Sequence, residues 1–195
     1  MQTESVSDEA LMLAYCDGDA AAFDTLYGRH RAGLHRFIRR QVADGGAVDE
    51  IFQDVWMRAI DARDAYEPRA KFGTWLYTIA HNRMMDFFRS MQRGGGAANM
   101  LSLDDDGSSV VIDLADGLAA LPDTELARKQ LARHILAALD TLSPVQREAF
   151  LLQQEGDLSI EEIAQATGVS RETAKSRLRY ALTKLRHALA PQRRD

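Results

Sequence analysis

The sequence predicts an all-α protein: two small helical domains joined by a flexible acidic linker, the C-terminal one a helix-turn-helix. Three observations carry this. Apolar residues recur at helical spacing, and no stretch alternates for long enough to argue for a strand. A glycine-rich run, GGGAAN at 94–99 followed by LSLDDDGSS, breaks the pattern. Charge is segregated: 44–67 is acidic, 69–93 basic, 104–125 negative at every charged residue, and 171–186 strongly basic. A structureless loop of about 25 residues sits poorly inside one compact domain, so it reads as a tether. The predicted units are 1–93, a linker at 94–123, and 124–195.

The elements follow in order. Phe23, Leu26, Tyr27, Leu34, Phe37 and Ile38 form one apolar stripe. Val48, Ile51, Phe52, Val55, Trp56, Ala59 and Ile60 form a second, which Pro68 ends. Phe72, Leu76, Ile79, Ala80, Met84 and Phe87 form a third. After the linker, Leu126, Leu131, Ile135, Leu136 and Leu139 mark another helix. Ser143-Pro144 supplies an N-cap with proline at the first helical position, and a helix runs from there to about Glu155. Four helices are expected before the linker and four after.

The chain has 195 residues, of which 46% are hydrophobic and 27% charged, a balance that excludes a disordered chain. No apolar run approaches the roughly 18 residues that span a bilayer. The N-terminus has neither a basic start nor an uninterrupted apolar core, so no secretory signal is expected. The single cysteine, Cys16, excludes an internal disulfide framework and a multi-cysteine zinc site, and points to the reducing cytosol. A net charge of −5 excludes a uniformly basic nucleic-acid coat but leaves room for local patches.

The C-terminal unit has the punctuation of a DNA reader. Ser159-Ile160-Glu161-Glu162 has capping-box spacing, a short helix follows to Ala166, and Gly168 can take the positive φ of a tight turn. Ser170 then caps a long helix from Arg171 to about Ala188. Ala164 is small where two helices must cross, and Val169, Leu178, Leu182 and Leu185 are spaced to face a core. Arg171, Glu172, Lys175, Ser176 and Arg179 are left on the opposite face. A recognition helix presents such N-terminal residues to base edges, where arginine pairs bidentately with guanine. Arg177, Lys184 and Arg186 read as backbone contacts.

In the segment 72–93, Trp75, Thr78, Asn82, Asp86 and Arg89 share a face away from the apolar stripe. A tryptophan beside asparagine and arginine suits single-stranded DNA: bases stack on the ring, the amide meets an unpaired base edge, and arginine neutralises phosphate. The pattern alone leaves Trp75 equally consistent with a place in the core.

Here the residues meet a known family. The order F-x-x-W-L-Y-x-I-A-x-N-x-x-x-D-x-x-R at 72–89 resembles the promoter-melting, −10-reading helix of bacterial sigma factors. A-V-D-E-I-F-Q-D-V-W at 47–56 resembles their helix that docks on the RNA polymerase β′ clamp. L-S-P-V-Q-R-E-A-F at 142–150 and T-A-K-S-R-L at 173–178 are similar to their −35-reading region. The match runs from about residue 8 to 189, with only the linker unmatched, and no segment is long enough for the extra domains of primary sigma factors. The resemblance is therefore to the extracytoplasmic-function (ECF) group. Departures are modest: Glu50-Ile51-Phe52-Gln53-Asp54 stands where Asp-Leu-Val-Gln-Glu is usual, Ala174 where valine is common, and Glu172 is acidic beside presumed base readers.

What the resemblance implies is a transcription initiation factor, cytoplasmic and without catalytic activity, of a group associated with stress responses. Its polymerase-docking residues would be Glu50, Ile51, Gln53 and Asp54. Its −10 and melting residues would be Tyr66, Lys71, Phe72, Trp75, Asn82, Arg83, Asp86 and Arg89, with the loop 64–71 capturing a flipped base. Its −35 residues would be Arg171, Glu172, Thr173, Lys175, Ser176, Arg177 and Arg179. The implied partners are core RNA polymerase (β′ clamp and β flap), promoter DNA both duplex and single-stranded, and an anti-sigma factor.

Other chemistries find little support. The five histidines form no paired metal motif, and the aspartates of 104–116 read as solvated charge, so neither metal nor cofactor is expected. There is no phosphate loop, G-x-S-x-G or H-E-x-x-H. A response-regulator type of transcription factor would need an alternating βα receiver, which 1–93 does not show; an all-helical adaptor with solvated basic faces is the other rival. Charge segregation also suggests that the acidic linker lies across a basic face in the free protein.

Overall fold

The structure, a computed structural model, describes residues 6–93 and 125–189. Among these residues are eight α-helices and no strand. They are α1 (Asp8–Cys16), α2 (Ala20–Arg39), α3 (Gly45–Asp61), α4 (Phe72–Arg93), α5 (Glu125–Asp140), α6 (Pro144–Gly156), α7 (Ile160–Thr167) and α8 (Arg171–Leu189), with a 3-10 turn at Arg63–Ala65 between α3 and α4. The expected linker, 94–123, lies outside the described residues.

Helix starts follow the local chemistry. Asp19 accepts from the amides of Ala21 and Ala22, and Asp44 from that of Gly46. The Ser159 hydroxyl accepts from the Glu162 amide while the Glu162 carboxylate accepts from the Ser159 amide at 2.8 Å, the reciprocal box expected there. Burial pushes the Glu162 carboxyl up, but its bonds to Ser159 and Lys71 outweigh this and hold it below the usual range. Gly168 has φ +67°, and Ser170 caps α8 through the Thr173 amide. The start of α4 is different: its first amide, on Phe72, donates at 2.8 Å to Glu9 of α1. A carboxylate from another helix thus satisfies an orphan donor that no neighbour in sequence reaches.

Helices α1–α4 enclose large side chains, with Leu26, Leu34, Phe37, Ile38, Ile51 and Leu76 fully buried. Beside them an aromatic ladder of Tyr15, Phe23, Tyr27, Phe52 and Trp56 joins α1, α2 and α3. In the other half, α5 and α8 pack through Ala138, Leu139, Leu142, Ala181 and Leu185. Leu136, expected in the α5 stripe, is instead 46% exposed, because α5 packs chiefly along α8 through Ala138 and Leu139.

The halves also pack on each other. Helix α7 lies on α4, and α6 on α2, so one apolar cluster runs from Met12 and Phe37 through Tyr77 to Leu152, Ile163 and Leu178. The sequence reading expected two separate globular pieces and gave no hint of this contact.

Candidate polymerase and promoter interfaces

The predicted docking residues lie on α3, but not all are presented alike. Glu50 and Gln53 are exposed and Asp54 is half-buried. Ile51 is fully buried, so it anchors α3 in the core and offers no side chain to a partner. Arg83 of α4 reaches across to this edge, its Nε donating to Asp54 at 2.7 Å and its Nη2 to Glu50 at 3.0 Å. Arg83 was expected at DNA; at 9% exposure, with both carboxylates on its guanidinium, it is a strut between α3 and α4. The result is an acidic edge held in place by a cation beneath it.

On α4 the outer face is as expected at its C-terminal end and different at the start. Asn82, Asp86 and Arg89 are exposed. Asp86 is bridged by Arg89 at 3.3 Å and by Arg58 of α3 at 3.5 Å. Trp75, by contrast, is half-buried: it meets Tyr66 edge-on, with 5.1 Å between ring centroids, and Phe72 at 5.8 Å. Phe72 and Tyr66 are buried themselves. Burial pushes the Tyr66 phenol up to about 12, and its hydroxyl finds no partner among the described residues. This aromatic trio therefore packs as the floor of the loop between α3 and α4, with only Trp75 keeping part of its surface. Lys71, exposed, faces Glu162 of α7 at 3.2 Å. The expectation that Phe72 touches DNA conflicts with its 1% exposure: the first apolar position of α4 points into the core.

The turn between α7 and α8 is built as predicted, with Ala164 and Ala174 at the crossing. Arg171 and Glu172 are exposed at the N-terminal end of α8, while Thr173, Lys175, Ser176 and Arg179 are half-buried. Arg171 is paired with Glu161 of α7, which holds the Glu161 carboxyl below its usual range. Both side chains are exposed, so water competes for the pair and a base edge or phosphate can replace it at little cost. The Arg179 guanidinium lies over the Tyr180 ring, 5.0 Å from its centroid. Arg177 differs from the rest. Burial lowers the pKa of its guanidinium, opposed by the nearby Glu148 carboxylate of α6.

Cys16 donates to the Arg63 carbonyl at 3.1 Å, and burial with two nearby aspartates pushes its thiol up, the opposite of a reactive cysteine. No helix of the described residues is long and apolar enough to cross a membrane.

Sequence reasoning missed Glu9, Gly33 and Tyr77. Glu9 left no signal, since a cap supplied from another helix has no fixed spacing. Gly33, in the middle of a strongly amphipathic helix, was a readable sign of close backbone approach.

Comparison with known proteins agrees with this layout. The Sigma-70 region 2 family matches residues 26–94, and the Sigma-70 region 4 family matches 132–185. The chain is 32% identical over 178 residues to the RNA polymerase sigma factor CarQ of Myxococcus xanthus, covering 91% of this chain and 95% of that one. It is 30% identical over 191 residues to the ECF RNA polymerase sigma factor SigK of Mycobacterium tuberculosis (93% and 92% covered). Among solved structures, CnrH in complex with the cytosolic domain of CnrY superposes with a TM-score of 0.65 at 25% identity, over 95% of this chain and 99% of that one. The sigma factor RpoE of Bartonella quintana, solved with the anti-sigma factor NepR, shares the fold with a TM-score of 0.63 at 22% identity, over 86% and 96%. With both conserved regions in order and relatives matched along nearly their whole length, the chain belongs to the ECF group of RNA polymerase sigma factors.

Proposed function

We propose that the chain is a dissociable, non-catalytic specificity subunit acting in the cytoplasm, with a division of labour between its halves. The exposed acidic edge of α3, Glu50 and Gln53 with Asp54, docks on the polymerase β′ clamp. The exposed end of α4, with Asn82, Asp86 and Arg89, meets the −10 strand. Trp75 offers its uncovered surface to a base as the strands part. Helix α8 enters the −35 major groove with Arg171, Glu172, Thr173, Lys175 and Ser176, and the C-terminal half rests on the β flap. Arg179 contributes at the edge of the groove.

The observation that carries this reading is the pairing of a fully capped helix-turn-helix, cationic at its leading end, with a second helix whose polar outer face is organised by α3. An anti-sigma partner is part of the proposal, in line with RpoE of Bartonella quintana, solved with the anti-sigma factor NepR, and with CnrH, solved with the cytosolic domain of CnrY. The test is gel filtration with core polymerase followed by promoter-directed transcription. Co-elution and promoter-dependent transcripts are expected; a chain that never co-elutes with core polymerase overturns the reading.

A further inference from the structure

The loop between α3 and α4 is held at both ends by one helix. Arg63, in the 3-10 turn, opens it, and Phe72, the first residue of α4, closes it. At the opening end the Cys16 thiol of α1 donates to the Arg63 carbonyl at 3.1 Å, and the Arg63 guanidinium lies 5.7 Å from the centroid of the Tyr15 ring. At the closing end the Phe72 amide donates to the Glu9 carboxylate at 2.8 Å. Glu9 and Cys16 are seven positions apart. They therefore share one face of α1, two turns or about 10 Å from one another. Helix α1 is itself fixed to α2, where Asp8 accepts from Arg29 at 2.5 Å and meets the His30 Nε2 at 2.6 Å.

No neighbour in sequence could replace the bond from Glu9. The residue before Phe72 is Lys71, whose side chain has no acceptor. The first amides of a helix have no partner within it, and a carboxylate beside them also meets the positive end of the helix dipole. Between the two anchors Tyr66 is buried, its ring 5.1 Å from that of Trp75 and 6.4 Å from that of Phe72. Burial, and after it the charges of Glu9, Cys16 and Asp8, push the Tyr66 phenol up, so its hydroxyl stands beside α1. Any change in the distance between the loop's ends would shift Tyr66 and Trp75 together.

We propose that α1 is a template for the loop 64–71, with Glu9 as a positioning residue that sets how sharply the −10 reader tells one base from another. This rests on the reading of α4 and the loop before it as that reader. Glu9 acts through the loop and not on DNA itself. A flipped base is recognised by close contacts in its pocket. A loop released at one end would still bind the strand but would discriminate poorly among bases.

The experiment uses holoenzyme reconstituted from core polymerase and the full-length chain, either wild type or carrying Glu9→Ala, Glu9→Gln, Cys16→Ala or Ser7→Ala. Each is titrated with premelted promoter fragments bearing each of the four bases in turn at every −10 position. Selectivity is the ratio of tightest to weakest binding at the most discriminating position. Glu9→Ala should cut that ratio about 10-fold, the scale of a lost hydrogen bond to a charged group, and leave core affinity unchanged. Glu9→Gln should keep most of it, because the amide oxygen still accepts from Phe72. Cys16→Ala should lower it less, since a thiol is a weak donor. Ser7→Ala is the control: it removes the cap of α1, where the hydroxyl accepts from the Ala10 amide at 3.2 Å, and leaves both anchors in place. It should lower the melting temperature and preserve selectivity. Full selectivity in Glu9→Ala, or equal losses in Glu9→Ala and Ser7→Ala, overturns the proposal. Should Glu9→Ala fail to fold by circular dichroism, Cys16→Ala carries the test, and unchanged selectivity there overturns it. A wild type with no base preference at any −10 position overturns the −10 reading itself. Hydrogen exchange of the free chain then decides the template alone: faster exchange over 63–72 in Glu9→Ala supports it, and unchanged exchange refutes it.

Discussion

The two halves solve the core problem differently. Helices α1–α4 bury aromatic and branched side chains such as Phe37, Leu34 and Ile51 against one another. Helices α5–α8 bury aliphatic side chains, Leu139, Leu151, Leu152, Ile163, Leu178 and Leu185, with Ala138, Ala164, Ala174 and Ala181 among them, and bury no aromatic ring among the described residues. The smaller half makes up part of the shortfall by laying α6 and α7 on α2 and α4. The difference teaches that the aromatic-rich first half serves as a platform on which the aliphatic second half packs.

The largest effect should come from breaking the platform. Phe37→Ala, at a fully buried position packed edge-on against Tyr77 at 5.1 Å, should lose ~3–5 kcal/mol of stability in urea unfolding. Because Tyr77 also holds α6, this variant should loosen the second half as well. Leu185→Ala, which thins the separate cluster between α5 and α8, should leave the melting of α1–α4 unchanged.

Next come the readers. Arg171→Ala or Lys175→Ala should weaken promoter complexes by ~1–3 kcal/mol in a sequence-dependent way, with core binding and thermal stability unaltered. Loss of polymerase binding in either variant would move this face away from DNA. Trp75→Ala sits between the two categories. It should cost stability through the lost contacts with Tyr66 and Phe72, and also weaken strand opening by ~1–3 kcal/mol per stacked base. Premelted bubble templates should restore the opening defect only. Equal losses on duplex and bubble would leave Trp75 a purely structural residue.

Smaller effects separate struts from contacts. Arg89→Ala should lower the salt dependence of promoter binding by about one phosphate contact, whereas Arg83→Ala should leave that slope unchanged and reduce polymerase affinity instead. Finally, Asp8→Asn should destabilise α1 by about 1–2 kcal/mol. Burial of Asp8 pushes its carboxyl up, but bonds from Arg29 and His30 outweigh it and hold the carboxyl below its usual value. The folded-state value being lowered, this contribution is complete above the ordinary aspartate value and is lost as pH falls from there through the lowered folded-state value. The gap between wild type and Asp8→Asn should therefore shrink on acidification.

The helices and the turn chemistry were legible because they depend on neighbours in sequence: Ser159 to Glu162, Gly168, Ser170 and Pro144 each act within four residues. The exposure of Arg171 and Glu172 at the start of α8 was legible for the same reason. The ion pairs of Arg83 and the ring contacts of Trp75 were not legible, because helical periodicity separates faces, not the partners those faces meet. Arg83 lies on the α3 side of α4, and only the position of Asp54 decides that it is an ion-pair strut. The contact of α6 with α2 spans more than a hundred residues of chain: Gly33 signalled a close approach, but nothing in the pattern said that the Glu155 carbonyl and carboxylate were what approached.

The division of labour can be tested most directly by footprinting the reconstituted holoenzyme on one promoter, with DNase protection at −35 and permanganate reactivity of thymines at −10 recorded together. Arg171→Ala should lose protection at −35 while still exposing −10 thymines on a premelted template. Trp75→Ala should keep −35 protection and lose thymine reactivity on duplex. If both variants lose both signals in parallel, α4 and α8 do not act as separate readers and the account is wrong.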